Sequence, residues 1–168
     1  MEVTNQVAVL STPSDMDEAG REKVSEGLNK IVADLLGLYV KTKNYHWHMS
    51  GRHFRDYHLL LDKQANQILE AVDIVAERIR KIGFTTIRSI GHIAQLQRVK
   101  DNDEDFVAPL DMLTDLMEEN KRLATNLRQS HEECEDIKDV ATASVLEVFI
   151  DEAERRTWFL FETTRELN

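Results

Sequence analysis

The sequence predicts an all-α fold in which long helices pack as a four-helix bundle. Apolar residues recur every three, four or seven positions along most of the chain, which is the spacing of one stripe on an α-helix. The 168 residues include only six glycines and two prolines, and aromatic or β-branched runs at strand spacing are scarce. A chain of this length fits one domain, which buries roughly 70% of the surface that the unfolded chain exposes.

Residues 1–13 are expected to form a flexible N-terminal tail, and residues 14–168 to form the single domain. The first helix should begin between Ser14 and Arg21, because Ser14 and Asp17 resemble a capping pair. The apolar stripe of this helix consists of Val24, Leu28, Ile31, Leu35, Leu38 and Tyr45.

The first helix should end at about Met49, because residues 50–51 are Ser-Gly, a pair that breaks helices. A second helix is expected from about His53 to Ile82, where a glycine follows. Its apolar stripe consists of Leu61, Ile68, Val72, Val75, Ile79 and Ile82.

Residues 84–105 are expected to form a connection that contains a short helix, because three apolar residues there are spaced by three: Ile90, Ile93 and Leu96. Pro109 suits the first turn of a third long helix, which should run to about Glu133, and a fourth begins near Asp139. Four long helices with one longer central crossover indicate a four-helix bundle of the ferritin-like type. The residues expected to be buried on the last two helices are Leu113, Leu116, Leu123, Leu127, Val145, Phe149, Trp158 and Leu160.

The formal net charge of −10 disfavours nucleic acid and anionic membrane as partners, because an acidic surface repels both. The single cysteine, Cys134, excludes an intrachain disulfide and fits a reducing cytosol. The N-terminal residues lack the features of a secretory signal peptide, and no apolar stretch is long enough to span a bilayer. We therefore expect a cytoplasmic protein without a membrane partner.

The second helix carries two separated pairs of potential metal ligands. His58 and Asp62 are four residues apart and share a face, and so do Asp73 and Glu77. The eleven residues from Asp62 to Asp73 make about three full turns, so both pairs point the same way, about 16 Å apart along the axis. A metal–ligand bond is roughly 2 Å long. The two pairs of one chain therefore cannot hold one ion.

Two copies of the chain resolve this separation. If their second helices lie antiparallel about a two-fold axis near residues 67–68, His58 and Asp62 of one chain face Asp73 and Glu77 of the other. The axis then creates two identical sites, as expected for an isologous dimer. The face between the pairs is expected to carry the modest side chains Ala65, Asn66 and Leu69.

His46 lies twelve residues before His58, and the Ser-Gly break between them allows the chain to reverse and bring the two imidazoles together. Two imidazoles with three carboxylates suit ferrous iron, manganese or zinc rather than soft-ligand copper. Each of these residues taken alone is more often an ordinary surface or core residue, whereas the matching faces and the closing symmetry favour a metal site. The histidines expected to lie outside the site are His48, His53, His92 and His131.

The same residues resemble the Dps family of ferritin-like mini-ferritins. The resemblance covers about residues 20–165 and includes Trp158-Phe159 near the end of the last helix. It rests on two long motifs and on the spacing between them: His46-Trp47-x-Met49-x-Gly51 followed by His58 and Asp62, and Asp73-Ile-Val-Ala76-Glu77-Arg78 followed by Gly83.

This resemblance implies a bundle with a short helix in the central crossover, and a hollow homo-dodecamer built from two-fold dimers. Members of the family oxidise Fe(II), preferentially with hydrogen peroxide rather than dioxygen, and store ferric mineral, which protects against oxidative stress. Iron is therefore the expected metal, with zinc or manganese as other occupants. Trp47 would be placed as a sacrificial electron donor, or is simply a packed interface aromatic. The ferroxidase ligands implied are His46, His58 and Asp62 of one subunit with Asp73 and Glu77 of the other.

The sequence departs from the family in its pore acids and its tail. Ser144 occupies a position where some members carry an acid near the three-fold pore. Residues 1–20 contain four acids and no lysine or arginine, whereas members that compact DNA commonly have a lysine-rich tail, so we expect no appreciable DNA binding. The remaining candidate pore acids, each equally a candidate surface carboxylate, are Asp139, Glu147 and Asp151.

Three alternatives to a ferroxidase stay open. A nucleoid-associated DNA-binding protein with weak or no ferroxidase activity is disfavoured by the acidic charge. A classical ferritin or di-iron oxygenase, with its site inside one bundle, needs Glu-x-x-His pairs, and no histidine here has a glutamate three residues before it. A helical scaffold without enzymatic activity would not require the matching ligand faces.

Overall fold

The computed structural model describes residues 9–166, which form five α-helices and, within that range, no strand: α1 (Glu18–His48), α2 (Phe54–Lys81), α3 (Ile90–Leu96), α4 (Pro109–Asp136) and α5 (Val140–Thr164). Helix α1 packs along α2, and α4 along α5. Contacts between α1 and α4 join the two pairs, and the short α3 lies against α1. This arrangement confirms the all-α ferritin-like four-helix bundle with a short helix in the central crossover.

Local signals in the sequence set the helix ends. The Asp17 carboxylate accepts a hydrogen bond of 2.8 Å from the backbone N–H of Gly20 and caps α1. Gly51 and Gly83 follow α1 and α2 with φ values of +99°, a backbone conformation that costs glycine little. The reversal at Gly51 turns the chain so that α2 runs back along α1, which is the geometry that any contact between His46 and His58 requires.

The core is built from the predicted apolar stripes. Every stripe residue of α1 and α4 is buried, and those of α2 are buried except for the half-buried Val72. On α5, Phe149 and Leu160 are buried, but the prediction for Trp158 is wrong, because that side chain is 58% exposed. Trp158 precedes Leu160 by two residues, or about 200° around the helix, so the two side chains cannot face the same core.

Part of the predicted N-terminal tail contacts the end of α2; residues 1–8 lie outside the described residues. The Thr12 hydroxyl donates a hydrogen bond of 2.8 Å to the Arg80 carbonyl. The Arg80 guanidinium donates bonds of 2.8 Å to the Leu10 carbonyl and 2.6 Å to the Phe84 carbonyl. These contacts hold residues 10–12 against the domain, where the sequence predicted a flexible tail.

Asp139 is a structural residue, so its assignment as a pore acid is wrong. Its side chain, 2% exposed, accepts hydrogen bonds from the Thr142 backbone N–H at 3.0 Å and from the Thr142 hydroxyl, and pairs with Arg78 at 3.2 Å. Asp139 therefore caps α5 and ties it to α2. Of the other two candidates, Glu147 lies 3.0 Å from the His131 Nε2 atom, and both Glu147 and Asp151 are exposed; a pore function for them stays a prediction.

In residues 9–166 none of the helices is both long and apolar enough to cross a membrane.

Replacing Asp139 by alanine is expected to destabilise the fold. The change removes a helix cap, which costs ~1 kcal/mol, and leaves Arg78 without its buried carboxylate, which costs about 3 kcal/mol. Scanning calorimetry should show a midpoint several degrees lower than in the wild type. Asp151→Ala, on an exposed part of the same helix, is the control and should melt within about a degree of the wild type; equal midpoints for the two variants would remove the structural assignment of Asp139.

Candidate metal centre

His46 and His58 hold each other in a reciprocal clamp between α1 and α2. The Nδ1–H of His46 donates to the His58 carbonyl at 2.7 Å, and the Nδ1–H of His58 donates to the His46 carbonyl at 2.8 Å. The rings stack with centroids 3.7 Å apart and planes 17° apart. Because a carbonyl oxygen only accepts hydrogen bonds, each Nδ1 carries the proton. Where Nδ1 carries the only ring proton, each imidazole would offer its Nε2 lone pair to a metal, which is the arrangement that metal-binding histidines use.

Asp62 lies beside this clamp. Its Oδ1 atom is 3.9 Å from the Nε2 of His46 and accepts a hydrogen bond of 2.5 Å from the ammonium group of Lys43. That hydrogen bond, assisted by the charges of Lys43, His46 and His58, holds the pKa of Asp62 below its ordinary value, against an opposing effect of desolvation. The structure thus gathers His46, His58 and Asp62 into one cluster, which we call the histidine half-site.

Lys43 is the member of this cluster that the sequence reasoning missed. It lies three residues before His46 on α1, so the two side chains share a helix face. That spacing was the available signal, but a lysine at i−3 from a histidine is common on helices. The Lys43 ammonium group donates a hydrogen bond to the Asp62 Oδ1 atom. A metal ion that binds Asp62 through this oxygen would therefore compete with the ion pair.

Asp73 and Glu77 lie on the same continuous helix as Asp62, further toward its C-terminus. Both are exposed, and Glu77 pairs with Lys81 at 3.5 Å. Because α2 is unbroken from Phe54 to Lys81, the separation of about 16 Å between Asp62 and Asp73 holds. One chain therefore does not bring them to the histidine half-site; we call Asp73 and Glu77 the acidic half-site.

No single chain closes the coordination of an ion. In residues 9–166 no group of three or more His, Cys, Asp or Glu side chains is arranged to hold a metal. The donor types nevertheless fit the expected ions, because two neutral imidazole nitrogens with carboxylate oxygens suit Fe(II), Zn(II) or Mn(II). The joining of the two half-sites across chains stays a prediction.

The surface between the half-sites is partly apolar and uncovered in the single chain. Leu59 and Leu69 on α2 are 48% and 42% exposed, and Val40 on α1 is 60% exposed. Exposed apolar side chains mark a surface that binds another protein where they form a patch, and Leu69 lies on the stretch of α2 between Asp62 and Asp73. The assignment of Ala65 to this face is wrong, because Ala65 is fully buried; it lies three residues after Asp62, about 60° further toward the core.

Trp47 is 63% exposed and follows His46 directly, so it lies at the edge of the histidine half-site. Both expectations for Trp47, an electron donor and an interface aromatic, stay predictions. Two of the histidines expected outside the site make other contacts or face solvent: the Nδ1 of His48 bonds to Asn44 within its own helix, and His53 is exposed.

Comparison with known proteins places this fold in a family. The Ferritin-like domain family matches residues 25–168. A low temperature-induced protein of Nostoc sp. is 33% identical over 141 residues, covering 83% of this chain and 79% of that protein. DNA protection during starvation protein 1 of Deinococcus radiodurans is 27% identical over 145 residues, covering 86% of this chain and 70% of that protein.

The solved structures agree with the sequence relatives. DpsC from Streptomyces coelicolor superposes with a TM-score of 0.91 at 27% identity, covering 100% of this chain and 98% of that chain. The chain therefore belongs to the ferritin-like family and, within it, to the Dps proteins.

The ion pair between Lys43 and Asp62 predicts a pH-dependent effect of replacing Lys43. A lowered pKa in the folded state means that the pair contributes stability above the ordinary aspartate pKa of 3.8 and loses it as the pH falls through the lowered value. Lys43→Met should raise the Asp62 pKa toward its ordinary value, as measured by the ¹³C shift of the labelled carboxyl carbon. Lys63→Met, which changes an exposed lysine next to Asp62 in the sequence, is the control; an unchanged Asp62 titration in Lys43→Met would contradict the assignment.

Proposed function

We propose that the protein is a ferroxidase and iron store. It oxidises Fe(II), preferably with hydrogen peroxide, at di-iron sites shared between two chains, and keeps the ferric product as mineral inside a homo-dodecameric shell in the cytoplasm. The observation that carries the proposal is the reciprocal clamp, which uses both Nδ1 atoms for backbone contacts and leaves the Nε2 of His46 3.9 Å from Asp62. Membership of the ferritin-like family supports iron storage and oxidative protection in general terms.

In the proposed site, Fe(II) is the substrate and the chain supplies its ligands. His46, His58 and Asp62 bind from one side, and the partner subunit's Asp73 and Glu77 bind from the other. Carboxylate oxygens are hard ligands, so they stabilise the ferric product more than the ferrous substrate. Two ferrous ions held together supply both electrons that hydrogen peroxide needs to become two waters, so no hydroxyl radical is released.

The proposed pairing follows from the register of α2. Residues 58 and 77, and residues 62 and 73, are each centred on position 67.5, so one two-fold axis at that point aligns both pairs of half-sites at once. The apolar Leu59 and Leu69 then become covered by the second chain. Iron and Lys43 would compete for the Asp62 carboxylate. The ion pair between Lys43 and Asp62 must therefore break when iron binds.

The shared site predicts that two inactive variants restore each other when they assemble together. Asp62→Ala damages the histidine half-site and Asp73→Ala damages the acidic half-site. A dimer of one chain of each contains one intact site, so random co-assembly should recover roughly a quarter of the wild-type sites. The measurement is the ferric absorbance that follows anaerobic loading with Fe(II) and addition of peroxide.

The matched control is co-assembly of Asp62→Ala with His58→Ala. Both changes fall in the histidine half-site, so every site in that mixture is damaged and no recovery is expected. Equal activities in the two mixtures would exclude a site shared between chains, and wild-type activity in Asp62→Ala alone would exclude the ligand assignment. Size measurements on each mixture confirm that the variants still assemble.

DNA binding is not part of the proposal, although the Deinococcus relative is named for DNA protection. Duplex DNA is bound mainly through clustered lysine and arginine residues, and residues 1–20 contain none in a chain of net charge −10. We expect the full protein to leave duplex DNA unretarded in a gel at low salt, where electrostatic binding is strongest. Stoichiometric retardation under those conditions would favour the nucleoid-protein alternative.

A further inference from the structure

Arg156 places a positive charge in the centre of the bundle with an incomplete set of partners. The residue is 3% exposed, and its Nε–H donates a hydrogen bond of 2.7 Å to the Asn120 side-chain oxygen. Its Nη1 atom is buried and has no hydrogen-bond partner among the described residues. The Oε2 atom of Glu152 is 3.9 Å from Nη1, which is beyond hydrogen-bonding distance. One strong donor therefore stays unsatisfied inside the protein.

Gln64 supplies an unsatisfied acceptor on the opposite helix. It is 4% exposed, and its Oε1 atom is buried without a hydrogen-bond partner in the described chain. Buried polar atoms without partners are uncommon in proteins, and those that occur are often satisfied by an internal water. Arg156 Nη1 is a hydrogen-bond donor and Gln64 Oε1 is an acceptor, so one bridging molecule could satisfy both if the two atoms lie close together.

The register of α2 and α5 places them at the same level. Arg78 on α2 donates a hydrogen bond of 2.8 Å to the Thr142 hydroxyl on the antiparallel α5. Gln64 lies fourteen residues before Arg78, and Arg156 lies fourteen residues after Thr142. Fourteen residues make nearly four full turns, so each residue keeps approximately the face of its counterpart and the same height along the bundle. We infer from this register that Gln64 and Arg156 face each other across the gap between α2 and α5.

The chemistry of the surroundings defines the ligand. An anion would accept from Arg156 but could not donate to Gln64, and it would lie close to the carboxylate of Glu152, which is 3.9 Å from Arg156 Nη1. Burial, together with the nearby Glu70 and Asp151 charges, already raises the pKa of Glu152. A cation would be repelled by the guanidinium, which stays protonated at neutral pH although burial lowers its pKa to about 10. Only a neutral molecule that both accepts and donates hydrogen bonds satisfies both atoms.

We propose that a small neutral hydroxylic molecule, either water or hydrogen peroxide, binds between Arg156 Nη1 and Gln64 Oε1 and links α2 to α5. Gln64 is two residues from Asp62, about 200° around α2, so the bound molecule lies on the far side of the helix from the histidine half-site. The proposal does not rest on iron binding, and its failure would leave the ferroxidase proposal untouched.

The test is a crystal structure of the full chain at a resolution that shows ordered solvent. A density peak about 2.7–3.2 Å from both Arg156 Nη1 and Gln64 Oε1 is expected. Gln64→Leu should lose the peak, and Gln67→Leu, which changes a half-buried glutamine on the same helix, should keep it. A direct hydrogen bond between Gln64 and Arg156 with no peak between them would overturn the proposal, and so would a peak that persists in Gln64→Leu.

A second set of crystals soaked in hydrogen peroxide distinguishes the two ligands. Density that lengthens to two atoms at this position identifies peroxide, and density that stays one atom in size identifies water; both support the site. The proposal would be contradicted if the soaked crystals showed peroxide bound elsewhere and no density between Gln64 and Arg156.

Discussion

An α-helix fixes the distance between the side chains that it carries, and this constraint determines how the protein can bind a metal. Helix α2 runs without a break from Phe54 to Lys81, so the backbones of Asp62 and Asp73 stay about 16 Å apart along the axis, and no choice of rotamers brings both carboxylates to one ion. In the proposed shared site, binding and assembly are coupled: an ion that joined the half-sites of two chains would also stabilise the dimer, because it would bind the assembled state more tightly than the free chain. In the same proposal, the exposed apolar residues near α2 contribute hydrophobic contacts between the two chains, and these contacts do not depend on a metal.

The reciprocal clamp shows how a helix end can contribute to the proposed metal site. His46 lies in the last turn of α1, where carbonyl groups have no partner within the helix. The Nδ1–H of His58 satisfies the His46 carbonyl, while the His46 ring bonds to a carbonyl in the first turns of α2. The turn at Gly51 makes this exchange possible. One arrangement therefore caps a helix, fixes two tautomers and orients two Nε2 donors.

The sequence predicted what depends on local spacing and missed what depends on the register between helices. Apolar periodicity located all four long helices, and the crossover helix followed from three isoleucine and leucine residues at a spacing of three. The ion pair of Lys43 could not be found in this way, because it exists only once α1 and α2 are aligned. Trp158 was assigned to the core wrongly because the apolar residues near the end of α5 are compatible with two different faces of the helix. Asp139 was assigned to a pore wrongly because a carboxylate at the start of a helix can equally serve as a helix cap.

Tyr45 indicates how the rotation of α1, and with it the direction of His46, is fixed. Its hydroxyl donates a hydrogen bond of 2.5 Å to Asp115 on α4 and accepts one of 3.0 Å from Asn102 in the crossover. The ring is 1% exposed, and burial, followed by the bond to Asp115, raises the Tyr45 pKa far above its ordinary value. Because Tyr45 is anchored toward α4, the next residue must point about 100° further around the helix, which is toward α2 and His58. The orientation of the first metal ligand is therefore set from the core and the crossover, before any ion or second chain is bound.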